Sequence, residues 1–143
     1  DGAHAPPALP ALIVTIERYG SGAPWEPIAG YSRVVRAGDH VHVAGCTAVL
    51  EDGAIAAPGD AYEQARQALA NVRAALEQAG ARMQDVVRTR MYVTDVSRWE
   101  EVARAHGEAF GEARPASALV GVVALIDPRM LVEIEADAYS PRG

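Results

Sequence analysis

Over residues 131–139 apolar and acidic side chains alternate strictly, and this stretch constrains the fold more than any other. Val132, Ile134, Ala136 and Ala138 share one parity, and Glu133, Glu135 and Asp137 share the other. Successive side chains of a strand point to opposite faces. The stretch therefore predicts a strand with one buried face and one face carrying three carboxylates. Carboxylates at i and i+2 lie roughly 7 Å apart, and like charges at that spacing need compensation. Arg88 and Arg90 stand on a common side of a second predicted strand, over 85–94, and can pair with the acids across a sheet. Spacing alone leaves another reading open. One glutamate faces a cleft, is partly desolvated, and serves as a general acid or base.

The remaining pattern supplies the rest of the sheet and two helices. Residues 12–18 alternate as a strand. Residues 20–30 are rich in Gly and Pro and read as a loop, with Trp25 in its middle either as a local anchor or as a ligand contact. Residues 31–35 and 40–44 read as a hairpin turning over 36–39. From Asp60 to Ala79 the residues Ala65, Leu69, Val72, Leu76 and Ala79 form one helical stripe, with Asp60 and Glu63 as a capping box and Gly80 as terminator. In the strand over 85–94, Val87, Met91 and Val93 are expected to face the core. Ser97 is expected to cap a second helix running to Phe110, with Glu100 at the capping-box position. Residues 118–125 read as a strand buried on both sides. The order β-β-β-α-β-α-β-β predicts an α+β domain in which one sheet carries both helices on one face. The charged face then looks at water or at another subunit, and three-fold association would cover it.

A chain of 143 residues fits one domain. Residues 1–11 read as a flexible leader and 12–143 as the folded domain. No apolar run is long enough to span a membrane. The net charge is −6 at pH 7, which argues against nucleic acid as a partner, because such binding needs a positive patch. All 13 basic residues are Arg, which removes Schiff-base and P-loop lysine chemistry. With the single cysteine, Cys46, no internal disulfide forms, and the cytoplasm is the expected compartment. The four histidines show no zinc spacing; His40 and His42 share a strand face without a third ligand, and no metal is expected.

Five segments in order are similar to those of the RidA (YjgF/YER057c/UK114) family. They are Gly30-Tyr31 after a Pro-bearing loop, Ala44-Gly45-Cys46, the strand over 85–95, Pro115-Ala116-Ser117, and Val132-Glu133-Ile134-Glu135-Ala136. The resemblance covers about residues 12–139. It implies a chorismate-mutase-like fold in a homotrimeric barrel, with small-molecule ligands in clefts between subunits. It also implies cofactor-free hydrolysis of enamines and imines, such as 2-aminoacrylate, to keto acids and ammonia. Glu133 falls at the position that activates water, and Tyr31 at the position lining the cleft. The family's carboxylate-clamping arginine follows Pro-Ala, and here that residue is Ser117. Ser cannot make the bidentate fork of Arg, so the chain resembles a branch lacking the clamp, whose substrate is not the usual 2-imino acid. Arg90 is the candidate replacement, and Ser117 can instead hydrogen-bond a neutral ligand. Gly121 stands where the family often has Glu. His106 is expected on the apolar side of the second helix, with a cleft role as the alternative. Cys46 is expected to be a buried thiol at the edge of the ligand site rather than a nucleophile. Three functions follow: an imine- or enamine-processing enzyme using Glu133, a non-catalytic ligand-binding or regulatory trimer, and, most weakly, an endoribonuclease.

Overall fold

The strand with the strongest alternation sits at the centre of the sheet. A computed structural model describes residues 2–7 and 14–142. Its strands are β1 (Ile16–Tyr19), β2 (Val34–Ala37), β3 (His40–Cys46), β4 (Val86–Val93), β5 (Ala116–Gly121) and β6 (Val132–Tyr139). Its helices are α1 (Trp25–Ala29), α2 (Ala61–Gln78) and α3 (Trp99–Phe110). The sheet order is β1-β2-β3-β6-β4-β5. β6 runs antiparallel to both neighbours, β3 and β4, while β5 is parallel to β4. β3 and β4 therefore point the same way and are joined by α2; β4 and β5 are joined by α3. Two crossovers of one hand, stepping in one direction, place both helices on the same face. The other face carries neither α2 nor α3.

The core lies between that sheet face and the helices. Val34, Val41, Val43, Met91, Val93, Val132, Ile134, Ala136 and Ala138 meet Ala65, Leu69, Val72 and Leu76 of α2 and Val102, Ala105 and Phe110 of α3. Asp60 caps α2 by accepting a 3.0 Å bond from the Glu63 N–H. Gly80, at φ 80°, ends it in the left-handed region that favours glycine.

Several boundaries differ from the sequence reading for identifiable reasons. The Gly/Pro-rich loop contains α1, because Pro24 and Pro27 fall at and inside its first turn, where no N–H partner is lost. The hairpin turns at Gly38-Asp39, so Arg36 belongs to β2 and is buried. In β4 the register shifts between Val86 and Arg88. Such a bulge reverses side-chain parity, so Val86 is buried and Val87 exposed. Ser97 does not cap the second helix: it lies in a 3₁₀ turn over Val96–Arg98 that precedes α3. This turn is capped by Asp95, whose side chain accepts bonds from the Ser97 N–H and hydroxyl, and α3 itself starts after Arg98 without a side-chain cap. β5 is shorter than expected and is an edge strand, mostly exposed rather than buried on both sides. Val120, Val123 and Ile126 all lie exposed there or just beyond. The expected start of the first strand at residues 12–13 lies outside the described residues, as do residues 1 and 8–11 of the expected leader; residues 2–7 are exposed and irregular. Among the described residues no helix is long and apolar enough to cross a membrane.

One buried cation ties the layers together. Arg36 is 1% exposed. It donates from Nε to the Ala79 carbonyl at 2.7 Å, and from Nη1 to the carbonyls of Ser140 at 2.8 Å and Gly38 at 3.1 Å. Nη2 reaches the Ser140 hydroxyl at 3.3 Å. The end of α2, the hairpin and the end of β6 thus share one guanidinium. Arg36→Met leaves buried carbonyls without donors. We expect it to cost about 3 kcal/mol, measured as a lower urea midpoint at unchanged slope.

Candidate active site

The face opposite α2 and α3 carries the chemistry that the alternation of β6 predicts. Across the register, Tyr92 of β4 lies opposite Glu133, Arg90 opposite Glu135, and His42 of β3 opposite Asp137. Arg90 Nη1 stands 3.5 Å from Glu135 and 3.3 Å from Asp137. The Tyr92 hydroxyl donates to Glu135 at 2.8 Å, and His42 Nδ1 lies 2.8 Å from Asp137. Two of the three acids are therefore compensated within the sheet, as cross-strand pairing requires. Arg90 is committed to them. Arg88 lies opposite Asp137 but makes no ion pair with it among the described residues.

Glu133 is the acid left over. It has no hydrogen-bond partner among the described residues and is half-buried. Burial pushes its carboxyl above the ordinary value of 4.5; the Arg33 charge opposes this and Glu135 adds to it. The niche exists because the β3–β6 register shifts between Val43 and Cys46, leaving Ala44 and Gly45 in a bulge. The Glu133 carboxylate lies against Gly45 so closely that a Cβ there would collide with it. A side chain at position 45 would therefore displace the carboxylate.

Arg33, which the sequence analysis did not single out, organises this niche. Its side chain is only 11% exposed. Nη1 donates to the carbonyls of Ala44 at 3.1 Å and Gly45 at 2.5 Å, and lies 3.4 Å from Cys46 Sγ. Nη2 reaches the Tyr31 hydroxyl at 3.4 Å, and the guanidinium carbon is 5.7 Å from the Tyr31 ring centre. Behind it, Glu26 of α1 lies 3.9 Å from Nε. Glu26 is itself buried and is held by the Ser21 N–H at 3.0 Å and by the Ser21 hydroxyl. Burial acts to raise the Glu26 carboxyl, but the Ser21 bonds and the Arg33 charge outweigh it and hold the group below its ordinary value. Trp25 opens α1 next to Glu26 and is partly exposed. Tyr31 is 37% exposed. Cys46 is buried, and that burial raises its thiol above the ordinary range, so it stays protonated and unreactive. The one available sequence signal for Arg33 was its i+2 spacing from Tyr31, which suggests a shared side.

Ser117 and His106 form a separate group. Thr89 is fully buried. Its hydroxyl donates to Ser117 Oγ at 2.8 Å and lies 2.8 Å from His106 Nε2. With the Thr89 proton on Ser117, His106 supplies the Nε2 proton and the Ser117 hydroxyl keeps its own hydrogen free. His106 packs on Phe110, ring centres 4.6 Å apart, and burial lowers its pKa below 6.5, favouring the neutral ring. A cleft of about 470 Å³ opens beside it, lined by His106, Gly107, Phe110, Gly111, Arg114 and Pro115. This group belongs to the helix side of the sheet, whereas Glu133 projects from the opposite side, so one chain does not bring Ser117 to Glu133. Among the described residues no group of three or more His, Cys, Asp or Glu is arranged to hold a metal ion.

An alternating sheet with both helices on one face and a lone half-buried glutamate on the other defines a recognisable class of small α+β proteins. The family described as Endoribonuclease L-PSP matches residues 21–140. The solved structure of a Mycobacterium tuberculosis member of the YjgF/YER057c/UK114 family is 50% identical, with a TM-score of 0.79 over 87% of this chain and 99% of that one. A Streptomyces coelicolor protein is 40% identical over 124 residues, 87% of this chain and 92% of its own. An Acinetobacter baylyi protein named 3-aminoacrylate deaminase RutC is 30% identical over 113 residues, 79% of this chain and 89% of its own. The chain belongs to the YjgF/YER057c/UK114 family, the RidA family of the sequence resemblance.

The niche generates two expectations. Gly45→Ala forces the Glu133 carboxylate aside, at a cost of about 1–3 kcal/mol for overpacking, read as a lower thermal midpoint. Glu133 is raised in the folded state, so its favourable contribution is complete below the ordinary value of 4.5 and is lost as pH rises through its folded value. Glu133→Gln is therefore expected to be more stable than the parent near neutral pH. Denaturant unfolding across pH should show this advantage disappearing in acid.

Proposed function

We propose that this protein is a cofactor-independent, RidA-like hydrolase acting on a small imine or enamine, with Glu133 as general acid and base. The observation that carries the reading is the isolation of Glu133: Glu135 and Asp137 are paired within the sheet, whereas Glu133 has no partner among the described residues and burial raises its carboxyl. A carboxyl in that state holds its proton closer to neutrality and can exchange it with a reacting group. In imine hydrolysis, water adds to the C=N carbon and the nitrogen gains a proton. The carbinolamine then breaks its C–N bond, giving a carbonyl compound and ammonia. An enamine first takes a proton on carbon and gives up one from nitrogen to become the imine. Glu133 can accept the proton of the attacking water and return it to the leaving nitrogen. Tyr31 would position the ligand. The relative named a 3-aminoacrylate deaminase supports this reaction class.

The substrate is expected to lack a carboxylate at the position where the family clamps one. Ser117 offers one hydroxyl and no charge, and Arg90 is already paired with Glu135 and Asp137. A neutral hydrogen-bonding group suits Ser117 better than an anion. The working assembly is proposed to be a homotrimer with ligand clefts between subunits. Two features support it: the charged face opposite α2 and α3, and the apolar edge at β5 with Val120, Val123 and Ile126 exposed. Association would also let Ser117 of one subunit approach Glu133 of the next. Ser117 equally favours a second reading, a ligand-binding trimer without turnover. The family description also names an endoribonuclease, but the net charge of −6 supports a small molecule rather than nucleic acid as partner.

Ammonia release is the decisive assay, with freshly generated 2-iminopropionate and with an imine lacking the carboxylate. Wild type is expected to prefer the uncharged substrate, and Glu133→Gln to lower kcat/KM by about 10²–10⁴-fold. Ser117→Arg is expected to shift preference toward 2-iminopropionate. Binding of the uncharged compound without ammonia release would favour the non-catalytic trimer, and sedimentation of the wild type tests the assembly itself.

A further inference from the structure

Gly45 is gripped from two sides. The Glu133 carboxylate lies against its Cα, and the Arg33 guanidinium holds its carbonyl and that of Ala44. These two carbonyls belong to the bulge between Val43 and Cys46, the segment of β3 whose pairing with β6 is out of step. A bulge frees main-chain groups from the ladder, and freed carbonyls in a partly buried place need donors. A planar guanidinium meets two adjacent carbonyls with one nitrogen and keeps the rest of its fork for other partners; an ammonium is a point charge without that fixed geometry. Arg33 uses the remainder of its fork on Tyr31 and Glu26.

We propose that Arg33 is a positioning residue for Glu133: it fixes the Ala44–Gly45 bulge that forms the floor beneath the carboxylate, and it orients the Tyr31 hydroxyl toward the same niche. Glu26 is the buried counter-ion that keeps the guanidinium turned onto the bulge. The inference rests on Glu133 being the working carboxylate, and it assigns roles to two residues that no substrate need touch.

The charged and titratable groups around Glu133 are few and come from every neighbouring element. Glu135 shares its strand, and Tyr92 lies opposite on β4 with its hydroxyl spent on Glu135. Cys46 lies on β3, Tyr31 and Arg33 precede β2, and Glu26 stands behind Arg33 on α1. Arg33 supplies the opposing positive charge that acts on Glu133, and Glu26, 3.9 Å from its Nε, is the ion-pair partner expected to screen that charge. Removing either partner of this ion pair should therefore move Glu133 in opposite directions.

The test is NMR titration of the ¹³C-labelled Glu133 carboxyl in wild type, Arg33→Gln, Arg33→Lys and Glu26→Gln, with Glu133→Gln giving the assignment. The midpoint is expected to rise in Arg33→Gln, to return toward wild type in Arg33→Lys, and to fall in Glu26→Gln. A merely structural role gives a different pattern: loosening exposes the carboxyl, so every variant falls toward the ordinary glutamate value. That pattern, or an unmoved midpoint in Arg33→Gln, overturns the proposal. Should Arg33→Gln not fold, Arg33→Lys decides, because it keeps the charge, and a midpoint fallen to the ordinary glutamate value there overturns it. Turnover is read separately on the same variants. Opposite-sign shifts with no ammonia released by wild type would uphold Arg33 and sink the hydrolase reading.

Discussion

The structure depends on β6 being a two-sided strand at the centre of the sheet. Its apolar parity, Val132, Ile134, Ala136 and Ala138, is fully enclosed by α2 and the neighbouring strands. A one-residue slip would send all four to the open face and drive three carboxylates into the core. Register is therefore held on both edges at once, by β3 and by β4. The two crossover helices then have one side available to them. The acids are left on the face that neither α2 nor α3 covers.

On that face, compensation is uneven, and the unevenness singles out Glu133. Arg90, Tyr92 and His42 attend to Glu135 and Asp137. Glu133 sits one step further along, where β3 bulges and its carboxylate lies against Gly45, a residue without a side chain. A general acid or base requires a carboxyl withdrawn from water but not locked to a cation. The bulge provides the withdrawal, and Arg33, turned onto main-chain carbonyls, moderates it from a distance.

Arginine serves twice here as an internal solvent for peptide carbonyls. Arg36 joins the end of α2 to β6, and Arg33 joins the segment before β2 to the bulge of β3. Each guanidinium meets several carbonyls in fixed directions, which suits junctions where ladders end or shift. At the opposite side of the sheet, Ser117 takes its place in a neutral chain through Thr89 to His106. Ser117 is thus the end of an uncharged hydrogen-bond chain.

The alternation of β6, the stripe and caps of α2, the hairpin, the order of elements and the family itself were legible in the sequence, because each rests on local periodicity or on a short run of residues. The acidic parity that contains Glu133 was legible for the same reason. What lay beyond the sequence are features set by pairing between distant segments. The bulge in β4 inverted Val86 and Val87, and no residue count within the strand reveals which partner is out of step. The short helix α1 was hidden by prolines that happen to fall in its first turn. Arg33 and Glu26 acquire their roles only when the loop before β2 is folded onto the bulge of β3. Composition decided what the chain could not be, and alternation decided how its sheet is layered. The tertiary structure decided which of three similar carboxylates was left unpaired, because that depends on which cations the neighbouring strands bring into register.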